Sequence, residues 1–478
     1  MKLYSSNKHY KLYNGNMLDM REVIEAESID SIVTDPPYGL TSIVKKFGSE
    51  NSKPAGEAKD GSFARLSKGF MGKTWDGSGI EYNVEAWRRC YEVLKPGGYL
   101  LAFGGSRTFY RIACAIEDAG FEIRDTIMWL YGSGFPKSMA LGKAIDKKQG
   151  NERIKTGKII HHAQKGVAVA EERGAVGGGA FGVAHDEEET IGTSKWEGWG
   201  TAIKPAFEPV IVARKSFKGS CVDNVIKYGV GGVNIDECRV GDEKHTVNIN
   251  DFSNQHGNQW GNGKPIGKLG EKEVSGRFPS NVIFTYDDND FEEVCGGLPN
   301  GGKNGSISKR YKMNNQVYGE YGECNTWDAY NDSGSAARYF YCAKASSRDR
   351  DEGLENMLSQ KCNDGRNTPI DNAFQRGETL RKNTHPTVKP TDLMQYLVRL
   401  VTPEGGTVLD PFNGSGSTGK AVMYENKDRS KNYKYIGIEM TEEYLPIAKA
   451  RIEYVIDEEE IIENDDEGQM TIFDFWRE

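Results

Sequence analysis

Asp35, Pro36, Pro37 and Tyr38 follow the apolar residues Ile29, Ile32 and Val33, inside the stretch SIVTDPPYGL at residues 31–40. Proline has no N–H to give to a sheet ladder, so a strand must stop at Asp35. A tight turn needs one proline at most; the second holds the Pro36 carbonyl rigidly at the strand tip. A carboxylate beside a fixed carbonyl makes two acceptors, and Tyr38 adds a flat ring. Two acceptors side by side can hold a polar group of a ligand by charge and geometry, without covalent catalysis.

A second group of residues lies in VLDPFNGSGSTG, residues 408–419. Glycines 414, 416 and 419 form G-x-G-x-x-G, and Glu439 ends the next apolar run about 20 residues further on, a nucleotide-binding spacing. Alone, this fits a dehydrogenase, a methyltransferase or a plain strand–helix turn. Asp410, Pro411 and Phe412 stand where a dinucleotide fold would pass straight from strand to glycine, and Phe412 can lie beside a purine. Just upstream is THPTVKP, with His385 and Lys389. Other chemistries find less support. The chain contains no Pro-Cys dipeptide, so a cysteine nucleophile of the cytosine carbon-5 kind is excluded. Its eight cysteines are scattered with no C-x-x-C pair, so no metal site is expected and reduced thiols are.

These residues need a scaffold that gathers strand ends. Residues 9–131 alternate between strand-like runs (HYKLYNG, DSIVTD, YLLAFGG, EIRDTIMWLY) and helix-like ones (VEAWRRCYEVL, RIACAIEDAGF). Such alternation builds a mostly parallel sheet with helices on both faces. A polar Gly/Ser/Lys-rich insertion interrupts it at 41–80. From about Gly132 to His385, glycine runs such as GAVGGGAFG and weak periodicity predict a loop-rich α+β insert. Alternation then resumes with TDLMQYLVRLV, GTVLD, GSTGKAVMYE, YKYIGIE and TEEYLPIAKARIEYVI.

At 478 residues the chain can hold two or three domains. Hydrophobic residues make up 37%, no apolar run reaches membrane-spanning length, and MKLYSSNKHYKLYNG lacks an apolar signal core. A cytoplasmic protein without a membrane partner is therefore expected. The net charge of −9 lies wholly in residues 457–478, where ten acids face Arg477. The remaining body is neutral, so charge does not exclude nucleic acid.

Taken in order, DPPY, a large insert, HPTVKP and DPFNGSGST resemble the permuted, β-class DNA amino-methyltransferases of prophage type. This is the N6-adenine/N4-cytosine family, which uses S-adenosylmethionine. The resemblance covers residues 9–131 and 385–455, and runs more loosely through KPAFEPVIVARK, RFPSNVIF and SAARYFYCAKAS. Other orders in the family put the cofactor loop ahead of DPPY. It implies an α/β, Rossmann-like methyltransferase fold with a mostly parallel seven-stranded sheet, strands 3 to 7 read first and strands 1 and 2 last. The implied domains are a catalytic half (1–132), an inserted target-recognition region (133–384), a cofactor half (385–456) and an acidic tail (457–478).

The resemblance implies base flipping and direct in-line methyl transfer, with Asp35, Pro36, Pro37 and Tyr38 catalytic and Tyr38 stacking on the extruded base. On the cofactor side it implies Asp35, Asp410, Pro411, Phe412, Gly414, Ser415, Gly416, Thr418 and Met440, with Glu439 on the ribose and Lys389 beside the pocket. Asn16 stands where many relatives have Asp; its amide oxygen can still accept from an adenine amino group, and Asp19 is its rival. A DPPY sequence points to the N6 of adenine within restriction–modification chemistry, with the N4 of cytosine as the alternative. A dehydrogenase or a catalytically idle DNA-binding protein leaves DPPY or HPTVKP unexplained. Double-stranded DNA is the expected partner. SKRYKMNNQVYGEY and RNTPIDNAFQRGETLRKNTH are candidate DNA contacts or, equally, solvated loops. Gln469, Ile472 and Phe473 on the acidic leash resemble a sliding-clamp peptide, a tail folded on its own core being the alternative. Homodimerisation is left open.

Overall fold

A computed structural model of the chain describes residues 1–39, 79–131, 138–161, 186–251, 267–285, 341–342, 348–362 and 379–456. All but the last two residues of the insertion at 41–80, the tail peptide with Gln469, Ile472 and Phe473, SKRYKMNNQVYGEY and most of RNTPIDNAFQRGETLRKNTH lie outside the described residues. The chain divides into two compact units, one from 1–234 and 344–478, the other from 235–343.

In the first unit eight strands form the sheet that carries the site. They are β1 (Lys2–Ser6), β2 (Tyr10–Asn14), β3 (Ile29–Thr34), β4 (Leu94–Phe103), β5 (Phe121–Tyr131), β6 (Phe207–Lys215), β7 (Thr407–Asp410) and β8 (Lys434–Glu439). Their spatial order is β1-β2-β8-β7-β3-β4-β6-β5. The run from β2 to β4 is parallel throughout. β6 lies antiparallel between β4 and β5, and β1 is an antiparallel edge. The last two strands in sequence thus sit between the second and third, the permuted arrangement expected, with β1 added to the seven strands. All six residues of β3 are buried, as a strand covered on both faces requires.

Helices α1 (Val84–Val93), α2 (Phe109–Asp118), α3 (Leu141–Gln149), α4 (Cys221–Tyr228), α5 (Thr391–Val401), α6 (Ser417–Arg429) and α7 (Leu445–Glu453) also belong to this unit. The Asn83 side chain caps α1 by accepting from the Glu85 N–H at 3.0 Å. Trp87 and Cys90 of α1 and Ile112 and Ile116 of α2 share a core with Ile32, Leu100, Ile211, Leu409 and Ile436 of the sheet. α5 packs on β3, β4 and α6. No helix among the described residues is long and apolar enough to cross a membrane.

The second unit contains an antiparallel pair, Val240–Asp251 with Gly267–Arg277, and a short parallel pair, Val282–Thr285 with Tyr341–Cys342. The expected insert, 133–384, is wider than this unit. FEPVIVARK inside it is β6, an integral strand of the catalytic sheet. A continuous apolar strand gives no sign in sequence of which sheet it joins, so that boundary misplaced it.

Candidate active site

The parallel strands release their C-terminal ends on one edge of the sheet, where α/β folds bind ligands. A cavity of about 470 Å³ opens there, within the roughly 300–1,000 Å³ range of small-molecule sites. Its wall is built from the ends of β3, β7 and β8, the turn after β2, and the segment before α5.

At the β3 tip, Lys389 Nζ donates to Asp35 Oδ2 at 2.6 Å. Asp35 Oδ1 is buried and has no hydrogen-bond partner among the described residues. Lys389 also donates to the Tyr38 hydroxyl at 3.0 Å and stands 3.4 Å from Glu208 Oε2. The Tyr38 hydroxyl in turn donates to Glu208 Oε2 at 2.7 Å. The rings of Tyr38 and Phe103 lie 5.2 and 4.9 Å from the ammonium, which adds cation–π attraction. Burial alone would lower the Lys389 pKa, but the Asp35 and Glu208 carboxylates outweigh it and hold it above the usual lysine value. Burial and the same two carboxylates push the Tyr38 phenol well up, so it stays neutral. The turn is fixed from outside as well: Thr108 Oγ1 donates to the Tyr38 carbonyl at 2.6 Å and the Tyr82 hydroxyl to the Gly39 carbonyl at 2.8 Å.

The glycine turn is wired differently. Asp410 ends β7 and accepts from Thr34 Oγ1 and Thr418 Oγ1, each at 2.6 Å, and from the Phe412 N–H at 3.1 Å. Glu439, at the end of β8, accepts from the N–H groups of Gly414 and Thr441 at 2.7 Å each. Burial raises its pKa, partly offset by those two N–H donors. Gly414 adopts φ +52, and a Cβ there would come within 2.8 Å of His385 Nε2, so only glycine allows the turn to pass under that ring. Burial lowers the His385 pKa to about 4, leaving a neutral imidazole whose Nδ1–H donates to the Thr387 carbonyl. Beneath the turn, the fully buried Arg451 donates to the Ser415 carbonyl at 2.5 Å and to Ser415 Oγ at 3.0 Å.

Of the expected site residues, Asn16, Asp35, Pro36, Pro37, Tyr38, Lys389, Asp410, Pro411, Phe412, Gly414, Ser415, Thr418, Glu439 and Met440 line the cavity. Asp19 does not: it belongs to the 3₁₀ turn Met17–Glu22, which Asn16 caps by accepting from the Leu18 N–H at 3.0 Å, and the cap leaves Asn16 on the wall. Gly416 also stands off the wall, at φ +74, packed where a Cβ would meet Ala448 at 3.0 Å. Lys389, expected beside the cofactor pocket, lines the cavity and pairs with Asp35. Sequence reasoning passed over Thr34, Glu208 and Arg451. Glu208 lies inside the quoted KPAFEPVIVARK, and an acid opening a buried strand is the one signal that pointed to it.

A parallel sheet permuted in this way, with a carboxylate turn facing a glycine turn across one cavity, defines a Rossmann-like methyltransferase fold. The N6/N4 DNA methylase family profile matches residues 29–450, and the chain belongs to that family. S-adenosylmethionine is the methyl donor of the family. The chain is 26% identical over 239 residues to the type II methyltransferase M.HindIII of Haemophilus influenzae, an overlap of 47% of this chain and 64% of that protein. It is 44% identical over 69 residues to M2.DpnII of Streptococcus pneumoniae, covering 14% of this chain and 24% of that one. The chain thus spans less than two thirds of the length of these curated relatives. Among solved structures, the PvuII cytosine-N4-specific DNA methyltransferase aligns over 94% of this chain and 90% of its own, at 12% identity and a TM-score of 0.35.

Proposed function

We propose that this protein transfers a methyl group from S-adenosylmethionine to the N6 amino group of adenine at a specific site in double-stranded DNA. The observation that carries the reading is Asp35, on the cavity wall with one oxygen held by Lys389 and the other buried without a partner among the described residues. A buried oxygen without a donor costs about 1–3 kcal/mol, and an amino hydrogen of an extruded base supplies that donor. With the Pro36 carbonyl as second acceptor, the amino nitrogen is drawn toward the pyramidal geometry that its attack requires.

The bound cofactor supplies an electrophilic methyl group on a sulfonium. In this reading Glu439 accepts from the ribose hydroxyls, Phe412 flanks the purine, and Asn16 meets its amino edge. The glycine turn brings backbone close to the methionine portion. The unit 235–343 and its flanks are assigned to recognition of the DNA sequence. Adenine is preferred over cytosine because Asp, and not Ser, opens the motif.

Incubating the protein with mixed-sequence duplex DNA and tritiated cofactor, digesting the product and identifying the labelled nucleoside tests this directly. N6-methyladenine is expected. N4-methylcytosine would keep the chemistry and replace the base, and absence of label from DNA would remove the proposal.

A further inference from the structure

Lys389 lines the cavity, yet its three N–H donors are matched by three acceptors: Asp35 Oδ2 at 2.6 Å, the Tyr38 hydroxyl at 3.0 Å and Glu208 Oε2 at 3.4 Å. None is left for a ligand. Glu208 closes the group by accepting from the Tyr38 hydroxyl at 2.7 Å. Resting on the reading above, we infer that Lys389 and Glu208 are positioning residues of the methyl-transfer step. Lys389 holds the Asp35 carboxylate by one oxygen so that the other meets the amino group, and Glu208 holds both Lys389 and the Tyr38 ring.

Among the described residues three groups face Asp35 electrostatically, Lys389 from the segment before α5, Tyr38 from its own turn and Asp410 from β7, while Glu208 of β6 faces Lys389 and Tyr38. Only Lys389 is cationic. It stands between two carboxylates that without it would repel each other across a small buried space. A point charge at 2.6 Å fixes the carboxylate rotamer. Glu208 touches Asp35 only through Lys389 and Tyr38, so its influence must be indirect.

The experiment measures kcat, KM for duplex DNA and the equilibrium Kd for S-adenosylmethionine across pH 5–9 in the wild type, Lys389→Met and Glu208→Gln. Lys389→Met should lower kcat about a hundred-fold, the scale of a small misplacement of reacting groups. The cofactor Kd should stay within two-fold. Glu208→Gln, which keeps an acceptor for Tyr38, should lower kcat about ten-fold without shifting the cofactor Kd. An unchanged kcat in Lys389→Met would overturn the inference, as would a cofactor Kd that rises ten-fold, since Lys389 would then be a cofactor ligand. Should Lys389→Met fail to fold, Glu208→Gln at wild-type kcat would overturn it equally. A wild type that transfers no methyl group to DNA instead brings down the functional reading itself, which separates the two failures.

Discussion

Two aspartates close adjacent parallel strands, Asp35 just past β3 and Asp410 at the end of β7, and a proline follows each. Asp410 sits with both oxygens filled, by two hydroxyls and a backbone N–H. Asp35 has one oxygen on a cation and one on nothing among the described residues. The same local device, a carboxylate on a proline-terminated strand, therefore does two jobs. Where neutral donors from the fold surround it, it ties the sheet together: Thr34 belongs to β3, and its bond to Asp410 joins the two strand ends. Where the fold withholds a donor, it stays available to a ligand. Hydrogen-bond satisfaction, more than residue type, separates these two carboxylates.

Substitution of each aspartate by alanine is the strongest way to break this contrast. Asp35→Ala should lower methyl transfer at least roughly a thousand-fold, the loss of a directed charge at the reacting centre, with no fall in melting midpoint. Asp410→Ala leaves two hydroxyls and an N–H stranded in the core and should cost about 3 kcal/mol, read as a lower denaturation midpoint. The opposite pattern, with Asp35→Ala unstable and Asp410→Ala merely inactive, would invert the two roles.

A pH series sharpens the comparison. Burial pushes the Asp410 carboxyl up to about 6, against about 3.9 for an unfolded Asp. The folded protein therefore keeps a proton that the unfolded chain has released. That contribution to stability is complete below about pH 4 and is lost as pH rises through about 6, amounting to at most about 3 kcal/mol. Asp410→Asn, neutral at every pH, lacks the slope. The gap between its melting midpoint and the wild type's should move in the variant's favour from pH 4 to 6.5 and then level off. A gap independent of pH would mean that Asp410 ionises in the fold as it does outside it.

The smallest effect belongs to the glycine turn. Gly416→Ala puts a Cβ at φ +74 and 3.0 Å from Ala448, so it should cost about 1–2 kcal/mol and weaken cofactor binding, measured by calorimetry. No loss of stability would mean that α7 yields to the added methyl.

Much of this was readable in advance because it is local. The strand stop at Asp35, the glycine turn and the β/α alternation each occupy a few consecutive residues, and the order of the two motifs foretold that β7 and β8 would slot between β2 and β3. Partners distant in sequence were not readable. Glu208 reaches Tyr38 across 170 positions and Arg451 reaches Ser415 across 36, and no spacing rule links such pairs. The choice between Asn16 and Asp19 turned on a 3₁₀ cap, whose geometry places one side chain on the wall and the other off it.

The bond from Thr34 to Asp410 spans 376 positions, and its consequence falls on synthesis. On the ribosome, β3 emerges long before its neighbour β7, so β2 and β3 must wait with open edges while several hundred residues are translated. Contacts of such long range form slowly, and unpaired apolar edges invite aggregation. A nascent chain therefore carries the DPPY turn without any cavity beside it, and a fragment that stops short of β7 lacks the glycine turn. The pocket is completed only when the last strands thread into the middle of the sheet.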